Sequence, residues 1–382
     1  MQEWWYSISL TEQSLLIALA VSGLYQLYFH LRYMLARRSW TKKPKKSDVP
    51  QVEKGVSVIV AAKNEADNLR TYLQLLLEQD YPLFEVIVIN DGSEDDTQNV
   101  LDDYAARYDN LHITFVPKNA KVISSKKLAL TLGIKGARYD YLLLTDADCR
   151  PASRQWISSV MRGFDTATTE VVLGYGAYFY EKSALNRLIR YETLTTGLQY
   201  MGLAAAGHPY MGVGRNLAYK KSLFVRSNGF TGLTGEQAGD DDLFVNRVAK
   251  RKNTNVVYGG DTLTWSVPET TWEGWWQQRR RHLSVAHLYR TGSRMLIGFE
   301  PLTRCVWYAA VIAMLAVASP LLKMAALAAF LLRLVVQWIV LNVSAKRLGV
   351  HGIGAELIIW DWLYPLLTLL MLSLPRHKNR LW

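Results

Sequence analysis

The chain has 382 residues, 50% of them apolar, which is enough for one sizeable globular domain plus further segments. Its formal net charge of +11 is gathered beside apolar stretches and in one arginine run rather than along a groove. That placement excludes nucleic acid as the expected partner. The only cysteines are Cys149 and Cys305, which excludes a disulfide framework and agrees with a cytosolic face.

Ser14 to Leu31 carries no Asp, Glu, Lys or Arg and is close to the roughly 18–20 residues that cross a bilayer. The segment before it holds Glu3 and Glu12 but no Lys or Arg, which is the wrong charge for a cleaved signal. It is followed by Arg32, Arg37, Arg38, Lys42, Lys43, Lys45 and Lys46. By the positive-inside rule this cluster holds the next domain in the cytoplasm, and its charges suit anionic membrane lipids. Lys42 to Glu53 reads as a charged linker with Pro44 and Pro50.

From Val56 the composition becomes that of a soluble domain. Val56–Ala62 is a strand-like run, Lys63-Asn64-Glu65 a loop, and Leu69–Leu77 an apolar-faced helix. A second strand, Glu85–Ile89, ends in Asn90-Asp91-Gly92-Ser93, and Asp95-Asp96-Thr97 caps a helix running to Tyr108. Leu111–Val116 is a third strand, Lys126–Gly136 a helix, and Tyr141–Thr145 a fourth strand. Strands alternating with helices predict an α/β fold with an open, mostly parallel sheet and helices on both faces. Such sheets bind ligands beyond the carboxyl ends of their strands. Asn64-Glu65, Asp91-Gly92-Ser93 and Asp146-Ala147-Asp148 all fall there.

The fourth strand ends in two carboxylates one residue apart, Asp146 and Asp148. Beyond the pleat they can converge on one hard divalent cation such as Mg2+ or Mn2+, which prefers oxygen ligands. Further along, Leu185–Ala206 reads as a mostly apolar helix lying against the membrane or the chain's own spans. A Gly-rich loop, Gly207 to Asn216, then leads to a short strand. Gly239-Asp240-Asp241-Asp242-Leu243 opens a helix running to Lys250. Trp272 to Tyr289 combines three tryptophans with Gln277-Gln278-Arg279-Arg280-Arg281-His282.

In this order the motifs resemble the family-2 glycosyltransferases of GT-A fold. More specifically, they resemble the membrane-bound members with a Q-x-x-R-W element before C-terminal spans. The resemblance covers about Val56 to Tyr289. It implies a nucleotide-diphosphate sugar donor, a divalent metal, and direct displacement with inversion at the anomeric carbon. Asn64, Glu65, Asp91, Gly92 and Ser93 would line the nucleoside pocket, and Asp146 and Asp148 would face ribose and metal-diphosphate. Lys126 matches the lysine of a G-K-x-x-A-L element, with Ser125 in place of its glycine, and would offset diphosphate charge. An exposed helix lysine is the competing reading.

The family's E-D pair, whose aspartate is the base, matches either Asp240 or Asp241, and a solvated helix cap is the plain alternative. Gln278 and Arg281 match Q-x-x-R and would clamp the diphosphate, because a guanidinium binds phosphate in bidentate fashion. His282 replaces the family's tryptophan at the acceptor side, where His208, Tyr210 and Asn216 are also expected.

Val306–Leu322 carries no charged residue and Leu357–Leu374 only Asp361. A hairpin over 305–343 is expected to turn near Pro320–Lys323, followed by a last span over about 355–374. That last span would leave Arg376, His377, Lys378 and Arg380 on the wrong side of the positive-inside rule. Arg333, inside a span, is expected to pair with Asp361.

The expected organisation is an anchor and linker (1–50), a cytoplasmic GT-A domain (51–275), an interfacial segment (276–304), C-terminal transmembrane helices (305–375) and a basic tail (376–382). The implied protein is a multi-pass glycosyltransferase of a bacterial-type inner membrane, using a UDP-type sugar and a lipid-linked or glycan acceptor. The rivals are a processive polysaccharide synthase and an inactive nucleotide-sugar-binding subunit.

Overall fold

The computed structural model describes residues 8–41, 54–117, 125–233, 235–236 and 238–374. The basic clusters at 42–46 and 376–380 lie outside them. The first half folds as α1 (Leu10–Thr41), β1 (Val56–Ala62), α2 (Ala66–Leu77), β2 (Phe84–Asn90), α3 (Thr97–Ala105), β3 (Leu111–Phe115), α4 (Ser125–Gly136) and β4 (Tyr141–Asp146). It continues with β5 (Arg150–Pro151), α5 (Trp156–Met161), β6 (Val171–Leu173), β7 (Gly176–Tyr178), α6 (Ala184–Ala205), β8 (Leu217–Lys220) and α7 (Lys221–Arg226). The last part is α8 (Asp242–Val248), β9 (Thr254–Val256), β10 (Thr264–Ser266), α9 (Trp272–Ser284), α10 (Thr291–Val317), α11 (Pro320–Leu348) and α12 (Leu357–Ser373).

Seven strands form one sheet in the order β3-β2-β1-β4-β8-β6-β9. Its first four strands are parallel, and β8 runs antiparallel to both β4 and β6. The period of two explains why β1 reads as a continuous apolar run. Val56, Val58, Val60 and Ala62 pack on one face with α2, α3 and α5, while Ile59 and Ala61 pack on the other with α4 and α6. A three-stranded sheet, β5-β10-β7, sits beside the large one.

Among the described residues, three helices are long and apolar enough to cross a membrane: α1 over Leu10–Met34, α10 and α11. The helix bounds sharpen two expectations. The C-terminal hairpin turns at Ala318–Ser319, with Pro320 at the first position of α11, where its missing N–H costs nothing. The segment expected as a fourth span is α12, a shorter apolar helix of 17 residues. In addition, α10 starts at Thr291, inside the stretch expected to be interfacial.

The helices are tied to the domain at several points. Gly202 lets α6 lie against α1, since a Cβ there would stand 2.5 Å from the Arg32 carbonyl oxygen. The Arg333–Asp361 pairing is present, with Nη1 donating to Oδ2 at 2.6 Å. Asp361 is fully buried and also accepts from Gln337 at 2.6 Å, the Tyr308 hydroxyl at 2.6 Å and the Tyr191 hydroxyl at 3.2 Å. Arg304 approaches the same carboxylate at 3.2 Å and is ion-paired with Glu300.

Candidate active site

Strand register brings the first motifs to one edge. Ala62 is level with Asn90 and Ala61 with Asp146, so Asn64, Asp91 and Asp146 leave three adjacent strands side by side. Asn64 adopts a left-handed backbone (φ 56°), which its short polar side chain tolerates. Its N–H donates to Ser93 Oγ at 2.9 Å, and its Oδ1 accepts from the Glu94 N–H at 2.8 Å. The loops after β1 and β2 are thereby sewn together. Gly92, at φ 67°, makes the turn between them.

Beside this rim opens a cavity of about 820 Å³. Its wall includes Glu65, Lys126, Asp146, Asp148, Asp240 and Asp241. Lys126 stands at their centre, with Nζ 2.9 Å from Asp146 Oδ1 and 3.6 Å from Asp240 Oδ2. It is a paired lysine, not an exposed helix lysine. Burial works to raise the Asp146 carboxyl, but the charge and hydrogen bond of Lys126 outweigh it and hold the group below its ordinary value. Burial and the neighbouring Asp146 push Asp148 up, and burial, with Asp148 and Asp146 adding to it, does the same to Glu65.

This carboxylate crowding suits a cation. Ligand atoms of Asp146, Asp148 and Cys149 lie within 4.8 Å of one another. The Cys149 thiol donates to Asp148 Oδ1 at 3.4 Å and is pushed up by burial, so it stays protonated. The usable donors are therefore carboxylate oxygens, the set for a hard divalent ion.

The three consecutive acids part company. Asp241 accepts the Gly214 N–H on Oδ2 and the Asp242 N–H on Oδ1, each at 2.7 Å, and caps α8. Asp242 accepts the Tyr289 hydroxyl at 2.6 Å. Burial, reinforced by the adjacent acid, pushes Asp241 up to about 6 and Asp242 up to about 7. Asp240 is the acid that turns toward Lys126.

Helix α9 supplies the opposite wall through Gln278, Arg281 and His282. Thr271 caps it, accepting the Gly274 N–H at 3.1 Å. His282 is an exposed residue that lines the cavity. The protein atoms crowded around its ring, with Arg279 and Arg281 nearby, push its imidazole well below its ordinary value. Tyr210 also lines the cavity.

Two expected acceptor-side residues are not brought in. Asn216 is buried, donating to the Tyr175 and Thr262 carbonyls at 3.0 and 2.6 Å and accepting the Trp156 indole N–H at 3.3 Å. It fastens the two sheets together. His208 is exposed on the loop after α6 and outside the cavity wall. Asn64, Asp91, Gly92 and Ser93 form the rim beside the cavity rather than its lining.

Three further residues support the site: Arg215, which the sequence reading held only as part of the loop to Asn216, and Lys127 and Glu192, which it missed. Arg215 donates to Ser266 Oγ at 2.8 Å, stacks 4.1 Å above the Tyr178 ring, and faces the D-x-D carboxylates. Lys127 donates at 2.6 Å to both the Glu236 and Ala238 carbonyls, holding the loop that delivers Asp240. Glu192 on α6 is ion-paired with Arg279 and accepts the Trp275 indole N–H at 3.0 Å. A lone Glu in an apolar helix was the available signal for this last contact.

The carboxyl edge of this α/β sheet thus carries a carboxylate pair, a central lysine and a further acid around one cavity. Residues 57–226 match the family described as Glycosyl transferase family 2. It is 26% identical over 235 residues to the Probable glycosyltransferase YdaM of Bacillus subtilis, covering 59% of this chain and 54% of that one. It is 26% identical over 264 residues to the Poly-beta-1,6-N-acetyl-D-glucosamine synthase of Staphylococcus aureus, covering 68% and 61% respectively. The chain thus spans a little over half the length of these curated relatives. Among solved structures it resembles the Pyrobaculum calidifontis mannosyltransferase PcManGT, solved with GDP-Man and Mn2+. That likeness has a TM-score of 0.61 at 20% identity and covers 95% of this chain and 99% of that one. The fold is GT-A.

Proposed function

We propose that the protein is a membrane-bound, inverting, metal-dependent glycosyltransferase that moves a sugar from a nucleotide-diphosphate donor, of UDP type, to a lipid-linked or glycan acceptor. The observation that carries this reading is Lys126, within 2.9 Å of Asp146 and 3.6 Å of Asp240. One lysine thereby ties the donor-side carboxylates to a candidate base.

Asn64, Glu65, Asp91, Gly92 and Ser93 would hold the nucleoside, and Lys126, Gln278 and Arg281 the diphosphate. Asp148 with Asp146 would hold Mg2+ or Mn2+, which when bound withdraws charge from the departing diphosphate. Asp240 serves as base, because Asp241 spends both oxygens on backbone N–H groups. The acceptor oxygen forms the new bond to the anomeric carbon while its proton passes to the Asp240 carboxylate. The anomeric carbon–phosphate oxygen bond breaks, and its electron pair leaves with the nucleoside diphosphate. Neutral His282 and Tyr210 are suited to acceptor hydroxyls.

Three crossings by α1, α10 and α11, with α12 lying at the cytoplasmic face of an inner membrane, would keep the domain and the basic tail on one side. That arrangement removes the conflict with the positive-inside rule. Likeness to a polysaccharide synthase favours processive addition as a second reading, which product length separates from single transfer.

The test incubates purified full-length protein and membrane lipids with UDP-GlcNAc, UDP-glucose or GDP-mannose plus Mn2+. Nucleoside diphosphate release is expected from one donor. Asp240→Asn is expected to lower the rate about 100-fold or more while nucleotide affinity holds. An Asp240→Asn protein as active as wild type would show that this acid is not the base. A wild type inert toward every donor would favour the inactive-subunit reading.

A further inference from the structure

Resting on the glycosyltransferase reading, we infer that the acceptor is a membrane lipid whose hydrocarbon chain lies between α10 and α12. The cavity does not end at the catalytic edge. Its wall continues along Ile297, Gly298 and Pro301 of α10 and along Pro365, Thr368 and Leu372 of α12. These positions recur at helical spacing, so each helix turns one stripe toward the same space. Five of these six are apolar or lack a side chain, and Thr368 spends its hydroxyl on the Tyr364 carbonyl at 2.9 Å; the same stretch of α10 also lines the space with Arg294 and with the Glu300–Arg304 ion pair.

A polar chamber adjoins these stripes. Tyr364, one residue before Pro365, accepts Arg279 at 2.8 Å beside Glu192, Arg281 and His282. The space therefore runs from a polar chamber, where Asp240 would meet a hydroxyl, into an apolar cleft. A ligand complementary along its whole length has a hydroxylated head and a hydrocarbon tail. A soluble oligosaccharide would leave its hydroxyl groups unpaired against the apolar stripes, at a cost.

The far side of α12 shows where such a ligand comes from. Ile358, Ile359, Trp362, Leu366 and Leu370 form an exposed apolar face on that helix. The helix is thus a thin wall with the cleft on one side and an apolar, lipid-compatible surface on the other. No heavy atom lies within 4 Å of a Cβ built at Gly298, so a larger side chain there fills the cleft without striking the fold.

The experiment uses full-length protein in nanodiscs, total membrane lipid extract, and the radiolabelled donor that supports nucleoside diphosphate release. Label is partitioned between an organic phase, a soluble aqueous phase and insoluble polymer. Wild type is expected to place the label in the organic phase. Gly298→Leu and Thr368→Leu are expected to lower that label at least tenfold, with unchanged UDP or GDP affinity and melting temperature. Leu366→Ala, on the outer face, serves as the control and is expected to match wild type.

Label in the aqueous or polymer fraction overturns the inference, as does undiminished lipid labelling by both cleft variants. In those cases donor turnover still stands and the glycosyltransferase reading survives. Absence of turnover with every donor overturns both together.

Discussion

Asp242 illustrates how much a single buried acid sets at the scale of one residue. Its carboxyl rises from 3.8 to about 7, through burial first and its neighbour Asp241 second, although the Tyr289 hydroxyl bond works the other way. Between those two values the folded chain holds a proton that the unfolded chain has released. Stability is therefore fully present below about pH 4, falls as pH rises toward 7, and is level above it. Asp242→Asn keeps an oxygen for Tyr289 but removes the charge. It should flatten this slope, worth roughly 2–4 kcal/mol at neutral pH by the linkage relation. Melting temperatures of the two proteins between pH 4 and 8 measure it, and parallel curves would contradict the argument. The D-x-D pair and the acidic triplet were legible because their positions follow from the end of a strand and the start of a helix. Which acid points where was not legible, since the Gly214 N–H and Tyr289 hydroxyl that select it arrive from distant loops.

At the scale of elements, the parallel half of the sheet could be read because strands buried on both faces leave unbroken apolar runs. Strands β5, β6, β7, β9 and β10 have two or three residues each, too few for a period of two to register. Their absence from the sequence reading explains the misplacement of Asn216, whose partners Tyr175 and Thr262 belong to that region. Helix α9 shows what tertiary packing adds. Glu192 on α6 and Tyr364 on α12 both grip Arg279, so two elements fix the helix that presents Arg281. Burial raises the Glu192 carboxyl, but Arg279 beside it draws the group back toward ionisation. Glu192→Gln retains an acceptor for Trp275 yet leaves Arg279 without its counter-charge. Truncating one partner of a buried ion pair costs about 3–5 kcal/mol locally, and part of that should appear as a loosened α9. A donor KM about tenfold higher, with kcat less affected, is the expected outcome. Steady-state kinetics on protein that is still folded reads it, and an unchanged KM would mean that α9 is positioned by other contacts.

At the scale of the molecule, the long apolar helices and the α/β domain share a buried ionic junction. Asp361 of α12 receives Arg333 and Gln337 from α11, Arg304 and Tyr308 from α10, and Tyr191 from α6. The Arg333–Asp361 part was legible, because an isolated charge in an apolar run needs a partner. Arg304, Glu300 and Tyr191 were not, since they lie in segments whose depth the sequence does not give. Two arginines and two carboxylates balance here, so the cluster is neutral as a whole and costly only when broken. Asp361→Ala leaves Arg333 and Arg304 facing each other in an apolar setting, and a loss of about 3–5 kcal/mol is expected. Asp361→Leu combined with Arg333→Leu removes a charge of each sign and retains the Arg304–Glu300 pair. It should recover most of the melting temperature in detergent. Because Glu300 and Arg304 also line the cavity, the single variant should lose transfer activity along with the fold, and the double variant should regain both. A single variant that melts with wild type would show that the junction does not hold the bundle to the domain. A double variant that is stable but inactive would instead assign the Asp361–Arg333 pair to the reaction.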